Sequence, residues 1–247
     1  IMLLPIAGVG WTVNQVLFPA LAKAQKDKER LAGGYIKAVE YVSTVALPAT
    51  ASLFVLVPEL VEWGLGPKWA AAVRPAQILC LLGGLQSIQT LCGPVFLAKG
   101  RPDVLLKLDL AYLPFFLAAV AVGCRWGING VAAGYTMICL LVTPLSTYLA
   151  LRCAGASWYA LRKAVYPSAL MAVLVGAIAL GAKTTAAFAG APTWAVAVWG
   201  GASSVAAWVA SALIVRPKLL AEALGLLRAR ANGASPWEDT EAFRGHD

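Results

Sequence analysis

Apolar residues run along this chain in seven long blocks, roughly 1–22, 36–58, 76–98, 104–124, 128–151, 164–186 and 192–215, separated by short polar breaks. A hydrocarbon core about 30 Å thick is crossed by a helix of about 20 apolar residues, so each block is long enough to span it. Within the blocks, the apolar residues neither alternate as in a strand nor form the single stripe of a surface helix. The pattern predicts an all-α polytopic membrane protein. Four blocks contain an internal proline, at Pro48, Pro94, Pro114 and Pro144. Each removes a backbone hydrogen bond and predicts a kink, and four of them suggest hinges in a protein that changes shape. Small residues such as Gly83, Gly84, Gly130, Gly134, Gly200 and Gly201 would let helix backbones approach closely. After the last block, residues 217–231 place Leu219, Leu220, Ala223, Leu224 and Leu227 on one stripe, which predicts an amphipathic helix (216–231) on the cytoplasmic membrane face or capping it. Residues 232–247 are polar and acidic and read as a disordered tail.

Composition sharpens this reading. Of the 247 residues 60% are hydrophobic and 13% charged, about half the charge of a soluble domain, which excludes an ordinary soluble enzyme. The formal net charge of +8 is unevenly placed. Sixteen of the 20 Lys and Arg fall in the first, third and fifth loops and the tail, and four in the alternate loops. Basic loops stay cytoplasmic, so the expected topology is N-terminus outside and C-terminus inside. The chain opens at Ile1 within an apolar run, with no charged leader before it, which predicts a span rather than a secretory signal and further chain upstream. The five cysteines lack metal or redox spacing and read as small apolar residues.

Little in the sequence suits catalysis. The single histidine, His246, lies in the polar tail, and no phosphate loop, paired carboxylates or metal-ligand cluster is present. Neither an enzyme nor a cofactor or metal is expected, and transport is the leading class. The informative residues are polar ones at membrane depth. Asn14 lies about 13 Å inside the first block, with Gln15 beside it. Gln86 and Gln89, three residues apart, share a helix face about 15–20 Å from the start of the third block. Thr90, Ser87, Thr136 and Thr143 extend this set, which lines a substrate cavity or else joins helices by hydrogen bonds. Asp109, about 10 Å into the fourth block, either pairs with a basic residue or takes part in ion coupling. Lys107 and Arg74 are placed to contact a headgroup or diphosphate, with simple anchoring as the default.

The runs VLFPALAKAQKDKERL (16–31) and YIKAVEYVSTVALPATASLFVLVPELVEWGLGPKW (35–69) resemble the C-terminal half of polysaccharide-type flippases. These belong to the multidrug/oligosaccharidyl-lipid/polysaccharide exporter superfamily. AKGRPD (98–103) and WGINGVAAGY (126–135) resemble the same branch. The resemblance implies that residues 1–215 form the C-terminal lobe of a MATE-like exporter fold. It also implies a central cavity to which Asn14, Gln86 and Gln89 contribute, and a second, N-terminal lobe as partner. The implied substrate is a polyprenyl-diphosphate-linked oligosaccharide for lipopolysaccharide, capsule or exopolysaccharide, moved across a bacterial inner membrane. Membrane lipid and a polysaccharide polymerase are the further partners, and no nucleic acid is expected. The rival readings are a small-molecule exporter of the same superfamily, a membrane-embedded polymerase or ligase, and a structural subunit of a synthesis complex. The first would prefer cavity carboxylates; the second would need a large external loop.

Overall fold

The computed structural model describes Leu21 and residues 27–215; the first predicted span, the amphipathic segment and the polar tail lie outside the described residues. Seven helices follow in order: α1 (Lys28–Leu65), α2 (Val73–Gln89), α3 (Cys92–Ala98), α4 (Pro102–Gly123), α5 (Gly127–Ala154), α6 (Trp158–Phe188) and α7 (Thr193–Val215). Short 3-10 turns precede α2 (Pro67–Ala72) and separate α4 from α5 (Cys124–Trp126). No strand occurs among the described residues. Five stretches are long and apolar enough to cross a membrane: Lys28–Leu65, Pro67–Ala98, Pro102–Ala154, Trp158–Phe188 and Thr193–Ile214. The third of these folds back on itself, so the five contain six of the seven predicted spans. The protein is a multi-pass, all-α membrane protein. The chain divides into two compact units, 1–208 and 209–247; in the second, residues 209–215 are described and are helical.

Local chemistry sets the helix ends. Asp27 caps α1 by accepting the amides of Glu29 (3.0 Å) and Arg30 (3.2 Å), and Ser157 caps α6 by accepting the Ala160 amide (3.1 Å). The α4–α5 hairpin turns at Gly127, whose φ of 67° suits glycine. Its arms approach more closely than side chains allow. A Cβ on Gly123 would lie 2.6 Å from the Gly130 carbonyl oxygen, and one on Gly134 would lie 2.9 Å from that of Ala119. Without a hydrophobic drive between helices inside lipid, such close backbone contact is a main source of attraction.

Successive spans alternate in direction, α2 and α3 together making one of them. Ser43 meets Ser168 and Glu59 meets Lys183, so α1 and α6 run parallel. Gly84 packs on Leu47, and Gln77 reaches Phe54, so α2 returns antiparallel to α1. Gln86 meets Tyr135 and Gln89 meets Thr143, making α2 and α5 parallel. Gly200 packs on Leu56, and Trp208 reaches Thr44, so α7 descends along α1. The start of α1, the α3–α4 loop and the α5–α6 loop therefore share one end, with Lys28, Arg30, Lys99, Arg101, Arg152, Arg162 and Lys163. The largest core lies toward that end. Tyr35, Val39 and Val42 of α1, Val95 and Phe96 of α3, Ala150 and Ala154 of α5 and Leu161 of α6 pack together there. Toward the opposite end a smaller cluster joins Val57, Val61 and Cys80.

The third predicted span, 76–98, is not one helix. It breaks at Thr90–Leu91 because Pro94 has no amide for the Thr90 carbonyl and its ring crowds that oxygen. At Pro48, Pro114 and Pro144 the helices run on, and Pro58 and Pro167 also sit inside helices. In α1 the freed carbonyls are recaptured. Pro48 leaves the Thr44 carbonyl without its helical donor, and the Trp208 indole Nε1 donates to it at 2.9 Å. Pro58 does the same to Phe54, whose carbonyl accepts from Gln77 Nε2 at 3.1 Å. Neighbouring helices thus supply the hydrogen bonds that the prolines remove, as lipid cannot. Among the described residues, no side-chain donor reaches the corresponding carbonyls of Leu110 in α4 or Leu140 in α5.

Candidate functional site

The polar side chains at membrane depth form two groups. Between α1 and α6, Ser43 and Thr44 both meet the buried hydroxyl of Ser168 at 3.1 Å, while their own hydroxyls also donate to the Glu40 carbonyl. Every hydroxyl in this group has a partner, so it reads as a seam.

The second group lies between α2 and α5. Gln86 and Gln89 share a face of α2, as their spacing predicts, and both turn to α5. Gln86 Nε2 donates to the Tyr135 hydroxyl at 2.9 Å, and Gln89 Oε1 accepts from Thr143 Oγ1 at 2.8 Å. Gln86 Oε1 is buried without a partner. Rotating the amide by 180° would swap its two ends and leave the same buried position unmet. A polar atom in that state costs about 1–3 kcal/mol. Aromatic rings flank the pair. Phe116 of α4 meets Tyr135 edge-on at 5.9 Å between ring centres and stacks on Tyr112 at 5.8 Å. The Tyr112 hydroxyl lies 3.7 Å from Cys139 Sγ. Two half-buried amides, two phenols and a phenyl ring thus pack together between α2, α4 and α5.

The other sequence candidates are scattered. Asn14 and Gln15 lie outside the described residues. Asp109 is exposed on α4 and meets no basic side chain among the described residues. Lys107 is exposed, with its Nζ 4.0 Å from the Asp103 carboxylate, which Arg101 also approaches at 3.9 Å. Arg74 is exposed at the start of α2. Since α2 and α4 start at opposite ends, Arg74 and Lys107 cannot grip one diphosphate together. No group of three or more His, Cys, Asp or Glu that could hold a metal occurs among the described residues. The five cysteines are unpaired.

The sequence reading missed one pair. Glu59 of α1 and Lys183 of α6 form an ion pair at 2.9 Å, with their side chains only 13% and 27% exposed. Lys183 Nζ also donates to the Val55 carbonyl at 3.3 Å, while Glu59 Oε2 is buried without a partner. Each residue sits at the edge of its apolar block, where loop charge is expected. Only the parallel packing of two helices distant in sequence reveals the pair.

Comparison with known proteins gives this arrangement a setting. Residues 1–74 match the family model described as polysaccharide biosynthesis protein. Over 141 residues, 57% of the chain, it is 30% identical to a protein named lipopolysaccharide biosynthesis protein WzxC from Escherichia coli (strain K12). Over 146 residues it is 26% identical to teichuronic acid biosynthesis protein TuaB of Bacillus subtilis (strain 168). Over 145 residues it is 28% identical to an uncharacterized membrane protein in the cps region of Klebsiella pneumoniae. The matched segment spans 29–30% of the length of these relatives. No solved structure matches. The resemblance read from residues 16–69 is borne out as a likeness to proteins of polysaccharide biosynthesis.

Proposed function

From this kinship we propose that the chain is the C-terminal lobe of a polysaccharide flippase. The longer protein would carry a polyprenyl-diphosphate-linked oligosaccharide from the inner to the outer leaflet of a bacterial inner membrane, for assembly of lipopolysaccharide, capsule or exopolysaccharide. The observation that carries the reading is the likeness, over 57–58% of the chain, to two proteins named for lipopolysaccharide and teichuronic acid biosynthesis and to a membrane protein of a cps region. The polar face of α2 supports it. Gln86 and Gln89, with Tyr112, Phe116 and Tyr135 beside them, offer amides and rings to a sugar while the lipid tail stays in the bilayer.

In this role the protein is a transporter and performs no covalent chemistry. Its C-terminus is cytoplasmic, since basic residues concentrate at the end shared by the α3–α4 and α5–α6 loops. Lys107 meets the diphosphate or headgroups at the cytoplasmic leaflet and Arg74 at the outer one. Asn14 and Gln15 belong to the same cavity, which an N-terminal lobe completes, and a polymerase receives the exported units.

The test is a strain lacking the parent gene. Complete lipid-linked repeat units should accumulate on the cytoplasmic leaflet, protected from an externally added glycosidase in intact spheroplasts. Single units that reach the outer leaflet but remain unpolymerised would make the protein a polymerase instead. Normal glycolipids with increased drug sensitivity would make it a small-molecule exporter.

A further inference from the structure

Apart from Gly123, none of the α4 residues is fully buried. Its inner stripe is accounted for. Leu105, Leu108, Tyr112, Phe116, Ala119 and Gly123 turn toward α5 and the core. A second stripe points elsewhere. Leu106, Leu110, Leu113 and Leu117 recur at intervals of four, three and four residues and are between 49% and 60% exposed. That is the a/d spacing of a helix–helix seam, and at 100° per residue it lies well over 90° around the helix from the inner stripe.

Leucines facing lipid need no partner, because lipid tails are as apolar as they are. Asp109 changes the situation. It precedes Leu110 directly, so it flanks the leucine seam at the position that carries interhelical charge pairs in such packings. It lies about 10 Å along α4 from Pro102, within the span, and a carboxylate on so short a stem cannot reach the headgroups as a lysine does. The neighbouring cations do not serve it. Arg101 and Lys107 both approach Asp103, and no basic side chain among the described residues pairs with Asp109. Ionisable groups inside membranes face a partner or a cavity rather than lipid.

We infer that the Leu106–Leu110–Leu113–Leu117 face of α4 is a docking surface for another transmembrane helix, one that carries a lysine or arginine at the depth of Asp109. Charge complementarity selects this occupant. A second copy of α4 related by a two-fold axis along the membrane normal would bring two Asp109 carboxylates to one depth, and like charges there repel. A lipid occupant would leave the carboxylate unpaired. The matched relatives are more than three times as long as the matched segment, so they contain further chain that could supply such a helix.

The experiment uses the full-length protein in native membranes, with p-benzoylphenylalanine in place of Leu113 and, as a lipid-facing control, in place of Val173 on α6. After irradiation, adducts are mapped by mass spectrometry. The expected result is a protein adduct at position 113 in a transmembrane helix with a Lys or Arg at hydrocarbon depth. Its yield should fall at least fivefold with Asp109→Asn and return with Asp109→Glu, while position 173 yields lipid adducts. Lipid adducts alone at 113, adducts to α4 of a second copy, or a yield indifferent to Asp109→Asn would each overturn the inference. Expression and membrane insertion of every variant are checked by the position-173 signal, which Asp109 substitutions should leave unchanged.

Discussion

Helices α1 and α4 are both apolar, both span-length and both interrupted by proline, yet they are built to opposite ends. Thirteen residues of α1 are buried, α2 and α6 pack along it, and α7 touches it at Gly200 and Trp208. The carbonyls freed by Pro48 and Pro58 are each recaptured by a side chain from a different neighbour, and Glu59 is tied to Lys183. In α4 only Gly123 is buried, the carbonyl freed by Pro114 meets no side-chain donor among the described residues, and Asp109 has no cation there. The difference teaches how to read polar features in apolar helices. A proline and a side chain on another helix, Pro48 with Trp208 or Pro58 with Gln77, form one structural device when helices bring them together. A helix whose polar features stay unmet is the edge of its own unit. Proline count alone does not separate a hinge from a pinned bend; the partner of the freed carbonyl does.

Removing one member of the Glu59–Lys183 pair should have the largest effect on this contrast. Glu59→Gln or Lys183→Met alone leaves the other partner unmatched in a mostly buried site. Each should destabilise the solubilised protein by about 3 kcal/mol, the lower end for buried pairs because Lys183 keeps some exposure. The double variant Glu59→Gln/Lys183→Met should recover most of the loss, measured by denaturant unfolding. Single and double variants with equal losses would show that packing rather than charge holds α1 to α6 there.

A smaller effect is expected from the recaptured carbonyls. Trp208→Phe and Gln77→Leu keep most of the volume and remove one hydrogen bond each. Their cost should be about 0.5–1.5 kcal/mol, and less if water replaces the donor. Paired with Pro48→Ala and Pro58→Ala respectively, each loss should shrink, because the alanine amide restores the helical bond. A double-mutant cycle with no coupling would detach the two features from one another.

The sequence carried most of this architecture. Block length and the scarcity of charge predicted the helices and the multi-pass class, and the motifs between residues 16 and 69 led to the right relatives. The spacing of Gln86 and Gln89 placed both on one face. Their destination, Tyr135 and Thr143 of α5, depended on which helices are neighbours, and periodicity does not encode this. The break at Thr90–Leu91 was written in Pro94 but read as a kink, since the same residue type leaves α4 and α5 uninterrupted. Glu59 and Lys183 were legible only as charges near the ends of two apolar blocks 124 positions apart, and their pairing is a product of parallel packing.

Central to the proposed transport is movement of a sugar-bearing lipid past the polar face of α2. The direct measurement reconstitutes the full-length protein in liposomes with a fluorescent polyprenyl-diphosphate oligosaccharide and follows its exposure to a membrane-impermeant glycosidase. The native protein should expose the substrate on the far leaflet faster than protein-free vesicles. Gln86→Leu/Gln89→Leu should slow that exposure at least tenfold, with only the modest loss of stability that two missing interhelical hydrogen bonds bring. Native protein no faster than empty vesicles would contradict the transport reading, and full activity in the double variant would remove the α2 face from the substrate's path.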